Sequence, residues 1–198
     1  MEAAIVSAKR GHKVTLWEKG EKLGGNLIPA SVPKFKDDLK RLIRYYEIQM
    51  DKLGVNVVTE KNSTSNEILE ENPDVLILGT GSTPLVPRLP GINGSNVHAA
   101  IDVLSNNINL GENVIIAGGG FVGCETAVHL AEQGKEVTII EMKERILAEP
   151  MPFNNLLALS SMVVENEINI LASTKLVEIK DNEVIVEKVD GTIENIVC

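Results

Sequence analysis

The chain has 198 residues, 43% hydrophobic and 24% charged, enough for one domain with a sizeable core or for two small ones, and not the composition of a disordered chain. Its net charge of −9 argues against partners rich in phosphate, nucleic acid and anionic membrane alike, and no apolar stretch is long enough to span a bilayer. Cys124 and Cys198 form no C-x-x-C pair and the first ten residues have no signal-peptide core, so a reducing, cytoplasmic location is expected.

Residues 2–10 are apolar on one face and stop at Gly11, which predicts a helix and its cap. Residues 13–17 (Lys-Val-Thr-Leu-Trp) predict a strand, with Glu18 directly after it. Residues 22–29 read as loop, where Gly24 and Gly25 permit close approach of a ligand or merely a turn. The longest helical pattern covers 35–53, with Phe35, Leu39, Leu42, Ile43, Tyr46 and Met50 spaced for one buried face. A strand at 55–59, a short capped helix at 65–71 and a buried strand at 74–78 follow. Residues 79–84 (Gly-Thr-Gly-Ser-Thr-Pro) form a tight polar turn at the C-terminal end of that strand, where open α/β sheets bind ligands. The proline-rich 84–90 is an extended crossing and 99–105 a short helix. The Asn-rich 106–112 marks the expected boundary between domains 1–108 and 109–198.

The stretch 113–141 organises the rest. Residues 114–117 are a β-branched strand suited to burial on both faces. Gly118, Gly120 and Gly123 then spell G-x-G-x-x-G: the first permits a tight turn, the second lets backbone approach a pyrophosphate, and the third lets helix and strand pack closely. Residues 121–133 are the helix, with Val122, Thr126, Ala127, Leu130 and Ala131 on one face, and its N-terminus favours an anion. Residues 137–140 are the next strand. Glu141 ends it at about the 20-residue distance where an acid takes the adenosine ribose hydroxyls. The competing reading is a glycine-rich turn that binds nothing.

Residues 10–18 and 133–141 repeat one another: the glycines, the Val-Thr pair and the closing acids coincide. Two dinucleotide-binding units are therefore expected, the first without its opening strand and glycine turn because the sequence begins inside the helix. After Glu141 come a helix near 153–165, a strand at 168–172, and strands at 175–179, 183–189 and 192–197. Asp190-Gly191 is a strong hairpin signal, so the last three predict an antiparallel meander; the parallel strand expected after it is missing.

With two units, the Thr80–Gly81 turn and the meander, the chain resembles the two-dinucleotide-binding-domain flavoproteins of the glutathione-reductase-like group. Met1-Glu-Ala-Ala, Arg10-Gly-His, Trp17-Glu-Lys, Leu23-Gly-Gly-Asn-Leu and Pro33-Lys34 look most like the nucleotide-binding region of Old Yellow Enzyme-type NADH:flavin oxidoreductases, the relatives of 2,4-dienoyl-CoA reductase, trimethylamine dehydrogenase and enoate reductase. In that family a barrel carrying FMN and an iron–sulfur cluster precedes the part that binds FAD and NAD(P)H.

The resemblance implies an α/β fold of two Rossmann-like units, the first incomplete, truncated at both ends relative to the family. Glu18 would hold the FAD ribose, Lys19, Gly25 and Asn26 would line the FAD site, and Thr80 and Gly81 would flank its pyrophosphate. Gly118, Gly120, Gly123 and Glu141 would bind NAD(H). Glu141 favours NADH over NADPH, with Lys143 and Arg145 near enough to soften that preference. The family's first glycine motif, its barrel and its cysteine cluster are absent from this sequence. No redox cysteine pair stands after Gly24-Gly25, where Asn26-Leu27-Ile28 is found. Cys124 reads as a packing residue. The expected function is to pass hydride from NADH to FAD within a larger enzyme, with no catalytic side chain and no metal; the missing barrel and a second copy of the chain would be partners. The alternative is a non-catalytic NADH-binding module or sensor without flavin. FAD binding by this chain alone is the weakest expectation, since the first glycine turn is lacking.

Overall fold

In the computed structural model, which describes residues 1–106 and 108–198, helices alternate with parallel strands through residue 171 and three antiparallel strands follow. Two compact units result, Met1–Thr83 and Pro84–Cys198. The fold is α/β, with two parallel sheets and one antiparallel sheet.

The first unit contains α1 (Glu2–Lys9), β1 (Thr15–Trp17), α2 (Leu27–Ala30), a 3-10 turn at Lys34–Lys36, α3 (Asp37–Lys52), β2 (Asn56–Val58) and α4 (Ser65–Glu71). β1 and β2 pair in parallel, Leu16 opposite Val57. Ile5, Leu23, Met50 and Val55 form the core, with Val14, Leu16 and Tyr46 packed against it. Met50 is 1% exposed, as the apolar stripe of α3 requires, whereas Phe35 falls on the 3-10 turn and is exposed. The stretch expected as loop after Gly24 closes a helical turn instead: the N–H groups of Leu27 and Ile28 donate to the carbonyls of Gly24 and Gly25 at 2.9 and 3.1 Å. α4 opens on a reciprocal capping box between Thr64 and Glu67 and closes on Asn72 in the left-handed region.

The buried strand expected at 74–78 is not formed. Val75, Leu76, Ile77 and Leu78 are 52–76% exposed and belong to no sheet. A β-rich run becomes a strand only when a neighbouring strand takes its N–H and C=O groups, and the sheet of this unit consists of β1 and β2 alone. The polar turn expected at 79–84 is likewise irregular and exposed.

The second unit contains α5 (Ala100–Asn106), β3 (Asn113–Ala117), α6 (Phe121–Ala131), β4 (Glu136–Ile140), α7 (Phe153–Glu165), β5 (Asn169–Leu171), β6 (Thr174–Ile179), β7 (Glu183–Lys188) and β8 (Ile193–Val197). β4 is the middle strand of the parallel order β3-β4-β5. It is covered on both faces. Val137 and Ile139 lie with Cys124, Ala127, Val128 and Leu130 of α6 and Leu159 and Val163 of α7, while Ile140 lies with Val184 and Val186 of the antiparallel sheet. Double coverage explains why Val137, Ile139 and Ile140 of β4 are all buried, although neighbouring residues point to opposite faces. Of the residues that share one face of α6, Thr126, Ala127 and Leu130 are buried, together with Cys124 and Val128, whereas Val122, in the first turn, is 62% exposed.

The antiparallel meander has the order β6-β7-β8, with the Asp190 carboxylate accepting from the Thr192 N–H at 2.9 Å beside the Gly191 turn. Composition placed a boundary near 108/109, whereas the compact second unit begins at Pro84. Residues before 108 are tied to the meander. Pro90 accepts from the Ile179 N–H at 3.0 Å, and Asn96 Nδ2 donates to the Lys180 carbonyl at 2.9 Å.

Candidate functional site

β3 delivers the chain to Gly118, whose φ of +107° bends it sharply; its N–H donates to the Ile140 carbonyl at 2.8 Å. That bond holds the turn against the end of β4, beside Glu141. The turn then enters α6 with Gly120 as N-cap, and among the described residues no side chain caps the helix. An uncapped helix start with its positive dipole end is an anion site in the making.

The glycines of the motif serve different purposes. A Cβ on Gly123 would lie 1.9 Å from the Gly118 carbonyl oxygen, so only glycine lets helix and turn approach this closely. Gly120 has an ordinary backbone conformation, φ −73° and ψ −172°, and a Cβ there would meet nothing within 4 Å. Among the described residues nothing requires glycine at 120. The space a side chain would fill is open, in front of the helix start.

Gly119, an unconstrained position in the motif, is fully engaged here. Its N–H donates to Glu141 Oε2 at 2.7 Å, and its carbonyl accepts from the Leu147 N–H at 2.7 Å and from Cys124 Sγ at 3.4 Å. A Cβ at 119 would lie 2.5 Å from Ile146 Cγ2. Glu141 Oε1 also accepts the Lys143 N–H at 2.8 Å, so two backbone donors aim the carboxylate. The structure thus brings Gly118, Gly120, Gly123 and Glu141 together. It adds Gly119 and Leu147, which the sequence did not single out; the run of three glycines at 118–120 was the only available signal.

Cys124 is fully buried behind the turn. Burial, reinforced by the charges of Glu141 and Glu125, pushes its thiol pKa up to about 12, so the sulfur stays protonated and packs rather than reacts.

In the first unit Glu18 follows β1, with Oε1 accepting the Gly20 N–H at 2.8 Å. Its backbone is pinned on both sides, donating to Val58 and accepting from Lys61 at 2.9 Å each. The Lys61 ammonium lies 5.0 Å from the centroid of the Trp17 ring and is ion-paired with Glu67. Lys19, Gly25, Asn26, Thr80 and Gly81 are exposed, and among the described residues no hydrogen bond joins them to Glu18. Among the described residues no helix is long and apolar enough to cross a membrane.

Known proteins place this geometry in context. The cinnamate reductase of Clostridium sporogenes is 46% identical over 176 residues, which cover 88% of this chain and 26% of that protein. An NADH oxidase of Thermoanaerobacter brockii is 41% identical over 158 residues, 78% of this chain and 24% of that protein. A solved complex of 2-naphthoyl-CoA reductase superposes with a TM-score of 0.92 at 32% identity, over 100% of this chain and 30% of that one. The chain therefore spans about a quarter to a third of the relatives it matches. The family model for pyridine nucleotide-disulphide oxidoreductases matches residues 1–197, and the chain belongs to that family.

Proposed function

We propose that this chain is the FAD- and NAD-binding portion of a larger NADH:flavin oxidoreductase and that its second unit holds NADH. The observation that carries this reading is Gly120: a glycine that neither backbone conformation nor packing demands, standing before an uncapped helix start and beside an aimed carboxylate. A pyrophosphate passing over the turn would use that room, the α6 N–H groups would receive its charge, and Glu141 would accept the adenosine ribose hydroxyls. A bound nicotinamide supplies hydride and a bound flavin accepts it; the protein's part is to bind, orient and exclude competing reactions. Glu141 repels a 2′-phosphate, which favours NADH over NADPH.

For flavin, Glu18 is placed to take a ribose, with Lys19, Gly25, Asn26, Thr80 and Gly81 as flanking contacts. The first unit has no glycine turn of the 118–123 kind in its sequence, so its fit to FAD is partial. The exposed apolar run at 75–78, together with the quarter-length match to reductases, supports a parent enzyme in which further chain completes this sheet. Residues 1–108 and 109–198 would be its FAD-side and NAD-side domains.

The test is a visible absorption spectrum after incubation with FAD and desalting, alongside an NADH titration. Micromolar-range NADH binding with little retained flavin is the expected result. No NADH binding would sink the reading of the second unit, and stoichiometric flavin would show that the first unit is sufficient as it stands.

A further inference from the structure

The loop that follows β4 carries opposite charges beside the acid aimed at the ribose. Lys143 stands two residues past Glu141 and is anchored to it, its N–H on Glu141 Oε1 at 2.8 Å. Its ammonium is ion-paired with Glu149 at the far end of the same loop. The loop has anchors besides this pair. The Lys143 carbonyl accepts from the Ser173 N–H at 2.8 Å, and Leu147, buried and in the left-handed region, ties the loop to Gly119. The Lys143 and Glu149 side chains are 54% and 62% exposed, so the pair contributes little to the fold. The Lys143 pKa is raised, first by its bond to Glu149, then by the Glu149 charge, and also by that of Glu141, so the ammonium senses both carboxylates.

We propose that Glu149 is a specificity-determining residue, which occupies the Lys143 ammonium and so denies a 2′-phosphate one of the two cations on this loop, Arg145 being the other, tilting the site toward dinucleotides with a free 2′-hydroxyl. The inference rests on the reading that the turn at 118–123 and Glu141 hold a dinucleotide. A cation near the end of the second strand is what accommodates a 2′-phosphate in sites of this type. Lys143 is such a cation, already neutralised by a neighbour that adds its own repulsion. Selectivity is then set by a loop pair outside the glycine motif as well as by Glu141.

The experiment is calorimetric titration of the full chain with NADH and with NADPH, for wild type, Glu149→Gln, Lys143→Gln and the double variant. Glu149→Gln should raise affinity for NADPH relative to NADH about two- to fivefold, the scale of an exposed ion pair. In the Lys143→Gln background the same change should leave the ratio unaltered. A gain that persists without Lys143 would show only the loss of a distant negative charge and overturn the proposal. So would an unchanged ratio in a chain that binds NADH. Wild type binding neither nucleotide would instead remove the dinucleotide reading itself, and with it this inference.

Discussion

Gly123 is demanded by the packing of the turn, whereas Gly120 is not, and the proposed ligand would account for it. At Gly123 an added methyl would lie 1.9 Å from a backbone oxygen, and backbone cannot swing away as a side-chain tip can. Gly123→Ala should therefore cost about 1–3 kcal/mol in urea unfolding, the usual scale of an overpacked site, and abolish NADH binding as a consequence. Gly120→Ala, in open space at an accessible φ, should change stability by less than about 0.5 kcal/mol yet weaken NADH by at least about tenfold. Equal loss of stability in the two variants would contradict the assignment. The motif spacing alone pointed to both glycines, but only their surroundings assign them different work. Gly119 and Leu147 escaped notice for the same reason. One occupies a variable position of the motif and the other lies outside it, and their roles arise from a loop folding back onto the turn.

Among the elements, α4 shows how a short helix is held by its first turn. Glu67 is bonded first to the Lys61 ammonium and then accepts from the Thr64 N–H and hydroxyl, and these bonds lower its pKa from 4.5 to about 2. A depressed carboxylate pKa means stability that is fully present above about 4.5 and is lost as pH falls toward 2. The stability difference between wild type and Glu67→Gln should thus shrink as pH is lowered through that window in denaturant titrations. A difference that is constant with pH would show that the bonds to Lys61 and Thr64 do not favour the ionised form. This helix was legible from its capping residues, because a cap is a local interaction. The run 74–78 reads as a strand but is not one, because strand formation is not local: apolar, β-branched residues state a preference that only a neighbouring strand can realise.

At the scale of the whole molecule, each unit has a core of its own, one around Ile5 and Met50 and one around Val128 and Ile139. A ligand that binds only the native second unit stabilises that unit, by about 2.7 kcal/mol at a hundredfold excess over Kd. In hydrogen exchange with saturating NADH, amides of β3, β4 and β5 should gain protection up to that amount, while those of β1 and β2 should not. Equal gains in both sheets would mean that the units unfold as one. By itself the sequence determined most of the helices and strands, the meander, the repeated helix–strand–acid pattern and the glycine turn, since all are written in short-range periodicity and in residues with special backbone freedom. Only the tertiary structure decided that Gly119 is consumed by Glu141 and Leu147, that Lys143 is held by Glu149, that Val122 faces out, and that residues 75–78 have no sheet to join. Those outcomes depend on segments distant in sequence meeting, or failing to meet, in space.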